Sequence, residues 1–240
     1  MGRRALRKLD PSLHLSRHLK ALDDLPRPWA PAAVFGRVAP LEIEVGSGKG
    51  LFLSSAAAAC LEHDFLGIEL ARKYALHAAA RLARRSLDNA CVVHADALRV
   101  FGELLADDSV AAVHVYFPDP WWKARHKKRR VMNARFLRDV ERTLRGGGVL
   151  HFWTDVQEYF ETTLELVGET VELAGPFEVA ERPAEHELDF RTHFERRMRL
   201  TGQPVYRAEF RKKPPGRRVA CTTTRRDAHS TTRVDQEEIP

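Results

Sequence analysis

The sequence predicts an α/β fold, a mostly parallel sheet with helices on both faces, on three observations. Short apolar runs alternate with longer segments of helical periodicity. The intervening segments are rich in strong helix formers such as Ala, Leu and Arg. The chain has 240 residues, 44% of them hydrophobic and spread throughout, enough for one large domain with a substantial core. Strand and helix in strict alternation require crossover connections, and crossovers produce parallel strands. In such sheets ligands bind beyond the carboxyl ends of the strands.

The elements follow in order. Residues 1–34, rich in Pro, Arg and Leu, read as an N-terminal arm, partly ordered, ahead of a domain spanning 35–213. The first strand is LEIEV (41–45), and it runs into a loop with glycines at 46, 48 and 50. Alternate glycines let the backbone turn tightly and lie against a ligand. A phosphate-binding P-loop would need Gly at 43 and Ser or Thr at 50, where Ile43 and Gly50 stand. The dinucleotide fingerprint would need Gly at 51, where Leu51 stands. What remains is E-x-G-x-G-x-G from Glu44 through Gly46 and Gly48, a pattern associated with S-adenosylmethionine enzymes.

A helix over KGLFLSSAAAACLE leads to the second strand, DFLGIE (64–69), ending in Glu69. A carboxylate there can accept both ribose hydroxyls of an adenosine. A helix over ARKYALHAAARLARR precedes the third strand, ACVVH (90–94), after which Asp96 stands either near an adenine amine or as the cap of the next helix, ALRVFGELLAD. The fourth strand, VAAVHVYF (110–117), delivers FPDPWW. Its two prolines confine the backbone of Asp119 and pre-position the carboxylate at the sheet edge. Phe117, Trp121 and Trp122 can stack on a base or anchor the turn. Lys123, Arg125, Lys127, Lys128, Arg129 and Arg130 follow, each able to neutralise a phosphate. A helix over NARFLRDVERTL and a fifth strand, GVLHFWT (148–154), complete the pattern. Residues 214–240, polar and basic, read as a disordered tail.

Charge narrows the function classes. The net charge is +6, and between Trp121 and Arg145 there are ten Lys or Arg against two acids. Such clustering suits a polyphosphate partner. No apolar run approaches the ~20 residues needed to cross a bilayer, so a cytoplasmic protein with no membrane association is expected. The cysteines, Cys60, Cys91 and Cys221, are odd in number and far apart, which argues against a disulfide framework and against a metal site.

Taken together, FPDPWWKARHKKRR, LEIEVGSGKG, GIEL, WTDVQEYFE and THFERR resemble the bacterial tRNA (guanine-N7-)-methyltransferase family over roughly residues 35–212. The resemblance implies a Rossmann-like class I methyltransferase fold with a seven-stranded sheet, S-adenosylmethionine as cofactor, and tRNA, methylated at N7 of the variable-loop guanosine 46, as partner. It assigns Glu44, Glu69, Asp96 and Asp119 to the cofactor, with Asp119 also catalytic. Lys123, Asp155, Thr192, His193, Phe194 and Glu195 are assigned to the substrate. Trp122 stands where the family pattern leads one to expect histidine, and Ser47 where larger residues are common.

Guanine N7 carries a lone pair and no proton, so its methylation needs no general base. The economical role for Asp119 is a fixed charge beside the reacting base, or a hydrogen-bond acceptor for it. Two alternatives stay open: an amino-methyltransferase of the same fold acting on RNA or DNA, and a non-catalytic RNA-binding protein. Either a monomer or a homodimer is compatible with the sequence.

Overall fold

The computed structural model describes residues 8–181 and 191–214. Among these residues eight strands form one sheet in the order β1-β4-β3-β2-β5-β6-β8-β7. They are β1 (Leu19–Ala21), β2 (Leu41–Val45), β3 (Asp64–Glu69), β4 (Ala90–His94), β5 (Val110–Tyr116), β6 (Leu144–Thr154), β7 (Ala174–Glu178) and β8 (Tyr206–Arg211). The helices are α1 (Ala32–Phe35), α2 (Leu51–Ala59), α3 (Arg72–Arg84), α4 (Ala97–Glu103), α5 (Ala134–Thr143), α6 (Gln157–Thr170) and α7 (His193–Leu200).

The strands β1 to β6 are parallel, while β8 runs antiparallel between β6 and β7. The five strands predicted from sequence are β2 to β6. They are nearly continuous apolar runs because helices cover both faces, and every residue of β3 and β5 is buried. One core layer packs Ile43, Val113 and Phe152 with Phe101, Phe136 and Tyr159; the other packs Phe65 and Val92 with Leu53, Ala78 and Leu82. Asn133 caps α5 by accepting from Phe136 N at 3.1 Å, which fixes where that helix starts.

The order of strands reverses at β2. The chain goes from β2 to β3 and β4 on one side, then crosses to β5 on the other. The carboxyl ends of β2 and β5 therefore open a crevice, and the loops that follow these two strands frame it.

The sheet differs from the seven strands expected, and the extra strand comes from the segment read as an arm. Residues Leu19–Ala21 pair in register with Val92–His94, and Leu22, Leu25 and Trp29 are buried in the core. Their apolar side chains are scattered among prolines and charges, so no periodicity marks them. Pro214 is exposed, and the rest of the expected tail lies outside the described residues. Among the described residues, no helix is long and apolar enough to cross a membrane and no group of His, Cys, Asp or Glu is arranged to hold a metal ion.

Candidate active site

The loop after β2 is pinned to the end of β3. Gly46 N and Ser47 N both donate to Ile68 O, at 2.8 and 3.1 Å. Gly46, Gly48 and Gly50 all have positive φ, of 79, 53 and 68°. At Gly50 the requirement is double, because a Cβ there would stand 2.8 Å from the Ala78 Cβ of α3 as well as in a left-handed backbone. The third glycine thus lets α3 pack against the start of α2.

Glu69 completes this loop. Its Oε2 accepts from Gly48 N at 2.8 Å and its Oε1 from Ala71 N at 2.7 Å. A carboxylate has about four lone-pair sites, so each oxygen retains capacity for a further donor.

Glu44, at the end of β2, has the opposite environment. It is only 3% exposed, and its Oε2 has no hydrogen-bond partner. Burial pushes its carboxyl up to about 8, with Ser47 hydrogen bonding opposing the shift and the Glu69 charge adding to it. A buried acid with an unpartnered oxygen at the mouth of a crevice is suited to a cationic group.

Glu44 and the loop after β2 line an open cleft of about 480 Å³, while Glu69 stands behind the loop and does not line it. Its walls include Glu44, Gly46, Ser47, Gly48 and Lys49 from the β2 side, Tyr116 and Phe117 from the end of β5, and Thr192, Phe194 and Arg197 from α7. Phe117 and Phe194 meet across it, ring centroids 5.0 Å apart. Tyr74 of α3 reaches in as well. The sequence reading missed Lys49, Tyr74 and Arg197. Lys49 and Arg197 stand within or beside motifs already singled out, whereas nothing in the helical pattern marks Tyr74.

Below the cleft lies an aromatic floor of Phe52, Tyr116 and Trp153. The Arg191 guanidinium sits over all three rings, at 5.7, 5.8 and 5.2 Å from their centroids. Arg191 N donates to Glu195 Oε2 at 2.6 Å, and Glu195 N donates to the Thr192 hydroxyl at 3.0 Å. Beside the floor, His114 Nε2 lies 2.7 Å and His63 Nδ1 2.6 Å from the two oxygens of Glu42. Burial opposes ionisation of Glu42, but these two histidines hold its carboxyl down at about 2.

The loop after β5 is held by strained backbone. Phe117 and Trp121 have φ of 50 and 47°, left-handed values that cost about 1–3 kcal/mol each for such residues. Between them the Asp119 side chain is exposed, two residues beyond the cleft-lining Phe117, and does not itself line the cleft. Trp121 is occupied, with His126 edge-on at 5.8 Å and the Arg129 guanidinium at 5.1 Å. Trp122 is 68% exposed.

The basic run forms a turn of 3-10 helix, Ala124–Arg129, that starts from Lys123. Lys123, Arg125, Lys127, Lys128 and Arg129 are exposed. Arg130, expected among the outward-facing cations, is instead 8% exposed. It donates through Nε to Pro120 O at 2.8 Å and through Nη2 to Glu158 Oε2 at 2.8 Å, with its guanidinium 4.3 Å from the Tyr159 ring centroid. It braces the loop to α6. Lys127 pairs with the other Glu158 oxygen at 2.7 Å, and the hydrogen bonds from Arg130 and Lys127 hold Glu158 down at about 2.

The remaining predicted residues divide. Thr192 and Phe194 reach the cleft, and His193 opens α7. Glu195 is turned inward, 2% exposed, with Arg199 Nη1 at 3.5 Å and Arg207 Nη2 at 3.6 Å. Both of its oxygens face partners within the chain, so it positions α7 rather than facing the cleft. Asp96 caps α4 through Leu98 N at 2.9 Å and is exposed. Asp155 is half-buried just past the end of β6.

Comparison with known proteins gives the family and the fold. A family model described as "Putative methyltransferase" matches residues 38–208. A protein of Rhodopirellula baltica named tRNA (guanine-N(7)-)-methyltransferase is 52% identical over 219 residues, covering 89% of this chain and 81% of its own. A protein of the same name from Paraburkholderia xenovorans is 36% identical, covering 82% and 78%. Among solved structures, one titled "Structure of an Antibiotic Related Methyltransferase" aligns with a TM-score of 0.53 at 16% identity, covering 75% of this chain and 90% of that one. The aminoglycoside resistance methyltransferase NpmB1 aligns at 0.50 and 18% identity, covering 74% and 89%. At these identities the two structures show a shared fold.

Proposed function

The chain belongs to the tRNA (guanine-N(7)-)-methyltransferase family, and from that premise we propose that it transfers the methyl group of S-adenosylmethionine to N7 of the variable-loop guanosine 46 of tRNA. The observation that carries this reading is the meeting of two unlike surfaces at one strand edge. A glycine-lined cleft at the end of β2, with the buried Glu44 carboxyl in its wall, adjoins a cationic, tryptophan-bearing loop at the end of β5.

The residues present fit the cofactor. The buried Glu44 oxygen, without a partner in the protein, would take a cationic group of the methionine moiety. Glu69, with lone pairs to spare, would accept ribose hydroxyls, and the Gly46–Gly48 backbone lets the chain approach closely. When bound, S-adenosylmethionine supplies a sulfonium methyl group, which guanine N7 takes with its own lone pair while the carbon–sulfur bonding pair returns to sulfur.

The protein has no proton to remove from N7, so its work is to bind and orient. Asp119, on a backbone fixed by two prolines and two left-handed aromatics, sets a carboxylate where positive charge accumulates on the purine. Phe117 and Phe194 supply apolar faces inside the cleft, and Thr192 and Arg197 supply donors. Exposed Trp122 with Lys123, Arg125 and Lys128 faces the bulk of the RNA.

The test is methyl transfer from radiolabelled S-adenosylmethionine to unmodified bulk tRNA, followed by nuclease mapping. Label in 7-methylguanosine at position 46 is expected. Label on an exocyclic amine, or cofactor binding without transfer to any tRNA, would replace this reading with one of its rivals.

A further inference from the structure

Helix α3 carries charge that its own stability does not want. Its sequence, RKYALHAAARLAR, contains four Lys or Arg, one His and no acid, and Arg85 follows directly. Ala75, Ala78, Ala79 and Leu82 are buried against the sheet and α2, which leaves Arg72, Lys73 and Arg84 exposed, while Arg81 and Arg85 reach back to Lys49 O and Ser54 O. Lys73, His77, Arg81 and Arg85 recur at every fourth residue, with Arg84 beside them, a stripe about 18 Å long at 1.5 Å per residue.

A helix C-terminus welcomes cations, which accounts for Arg81, Arg84 and Arg85. It does not account for Arg72 and Lys73. They occupy the first turn, where the helix dipole is positive, and no acid stands in that turn. Like charges four residues apart also repel one another. The crowding is visible in the titrating groups: burial first, then Lys49 and Arg84, lower His77, and burial, then Arg84 and Arg85, lower Arg81. Past the helix end Asp88 is paired with Arg17 at 2.9 Å, and Asp10, which hydrogen-bonds Ser12, lies near enough to Arg84 to feel its charge.

The stripe is continuous with the active site. Lys49 and Tyr74 line the cleft, and Arg81 Nε donates to Lys49 O at 3.1 Å. We propose that α3 is a second tRNA-binding surface, on which Lys73, Arg84 and their neighbours track the phosphate backbone of the same tRNA whose guanine enters the cleft. This rests on the function proposed above for the partner's identity. A membrane surface is a poorer match, because the apolar face of α3 is buried and leaves little to insert among lipids.

The experiment compares the parent with the triple variant Arg72→Gln, Lys73→Gln, Arg84→Gln. Binding of a labelled unmodified tRNA transcript is measured across a salt series, alongside cofactor affinity, kcat and KM. Three lost phosphate contacts should flatten the log–log salt slope by about two to three units. The KM for tRNA should rise roughly tenfold or more at moderate salt, with kcat and cofactor affinity unchanged. The melting temperature should stay near parental, since the repulsion relieved at Arg72 and Lys73 offsets the favourable dipole interaction lost at Arg84. Lys73→Gln alone, flattening the slope by about one unit, gives an independent reading should the triple variant fail to fold.

A parental slope and KM in a folded variant would overturn the proposal, as would equal loss of binding to anionic lipid vesicles with tRNA binding intact. If the parent binds tRNA but places no methyl group on N7, and the variant still loses tRNA affinity, the surface stands and the functional reading alone falls.

Discussion

The buried acid at the mouth of the cleft makes a prediction that needs no RNA. Glu44 lies between an ordinary carboxyl value of 4.5 and a folded value of about 8. In the ligand-free protein the folded state holds this proton up to about pH 8, whereas the unfolded chain releases it near 4.5. Between those values the native state binds more protons, so stability falls as pH rises, and the loss is complete above about 8. A span of about 3.5 pH units at about 1.4 kcal/mol each sets a ceiling of roughly 5 kcal/mol. Glu44→Gln keeps the shape and the neutral character without the titration. Relative to this variant, the parent should lose on the order of 10 °C in melting temperature between pH 5 and 8.5, at a few degrees per kcal/mol for a chain of this size. Ligand binding adds the converse. A cationic ligand beside Glu44 drives its ionisation, so below pH 8 binding releases a proton and affinity climbs up to tenfold per pH unit, then levels off. Calorimetry with S-adenosylhomocysteine in two buffers of different ionisation enthalpy reads that proton directly, and Glu44→Gln cancels any titration of the ligand itself. Parallel melting curves for parent and variant from pH 5 to 8.5, or proton release that persists in the variant, would refute the account.

Three further outcomes follow from the β5 loop. Trp122→Ala should weaken tRNA binding by about 1–3 kcal/mol, roughly five- to 150-fold, while Trp122→Phe keeps most of the affinity; equal loss in both variants would remove the stacking role. Asp119→Ala should lose most methyl transfer with melting temperature and tRNA affinity near parental, because its side chain is exposed and supports no core; steady-state turnover close to parental would take it out of the mechanism. Arg130→Ala should cost about 1–2 kcal/mol of stability by removing the donor to Pro120 O and one of the two cations that pair with the half-exposed Glu158, whereas Lys128→Ala should leave the melting temperature alone and flatten the salt slope by about one unit. Thermal denaturation of the two variants side by side separates bracing from RNA contact.

The contrast between Arg130 and Lys128 also shows where reading the sequence stops. All five central strands are legible because each is a largely apolar run that both faces of the sheet demand, and the segments between them are built of strong helix formers, with a clear apolar stripe in α3 and α5. The strand β1 is not, since three residues of mixed polarity become a strand only when β4 offers them an edge. The helix α6 lies outside the predicted elements, although Tyr159, Thr163 and Val167 recur at helical spacing. Within the site, residue types were legible and directions were not. A run of cations gives no sign that its last member turns inward, because that depends on Glu158 and Tyr159, about thirty residues away on another element.

The same limit applies to the T-x-F-E stretch, and there it bears on mechanism. Four adjacent residues read as one substrate-binding unit, yet a helical turn must point neighbouring side chains in different directions. Thr192 and Phe194 face the cleft, while Glu195 points back to Arg191 N, Arg199 and Arg207. Arg191 in turn lies over Phe52, Tyr116 and Trp153, and Tyr116 itself lines the cleft at the end of β5. The position of α7 therefore depends on a chain of contacts running from the strand end through an arginine to a buried carboxylate. Removing the Glu195 charge would leave Arg207 and Arg199 paired with the half-exposed Glu181 but not with the buried carboxylate that holds α7, and would loosen the segment that carries Thr192 and Phe194. A Glu195→Gln variant should accordingly lose turnover through misplacement: methyl transfer falls and the melting temperature drops, while the proton released on cofactor binding, which belongs to Glu44, is unchanged. A loss of turnover with full stability would instead put the Glu195 carboxylate in direct contact with the substrate.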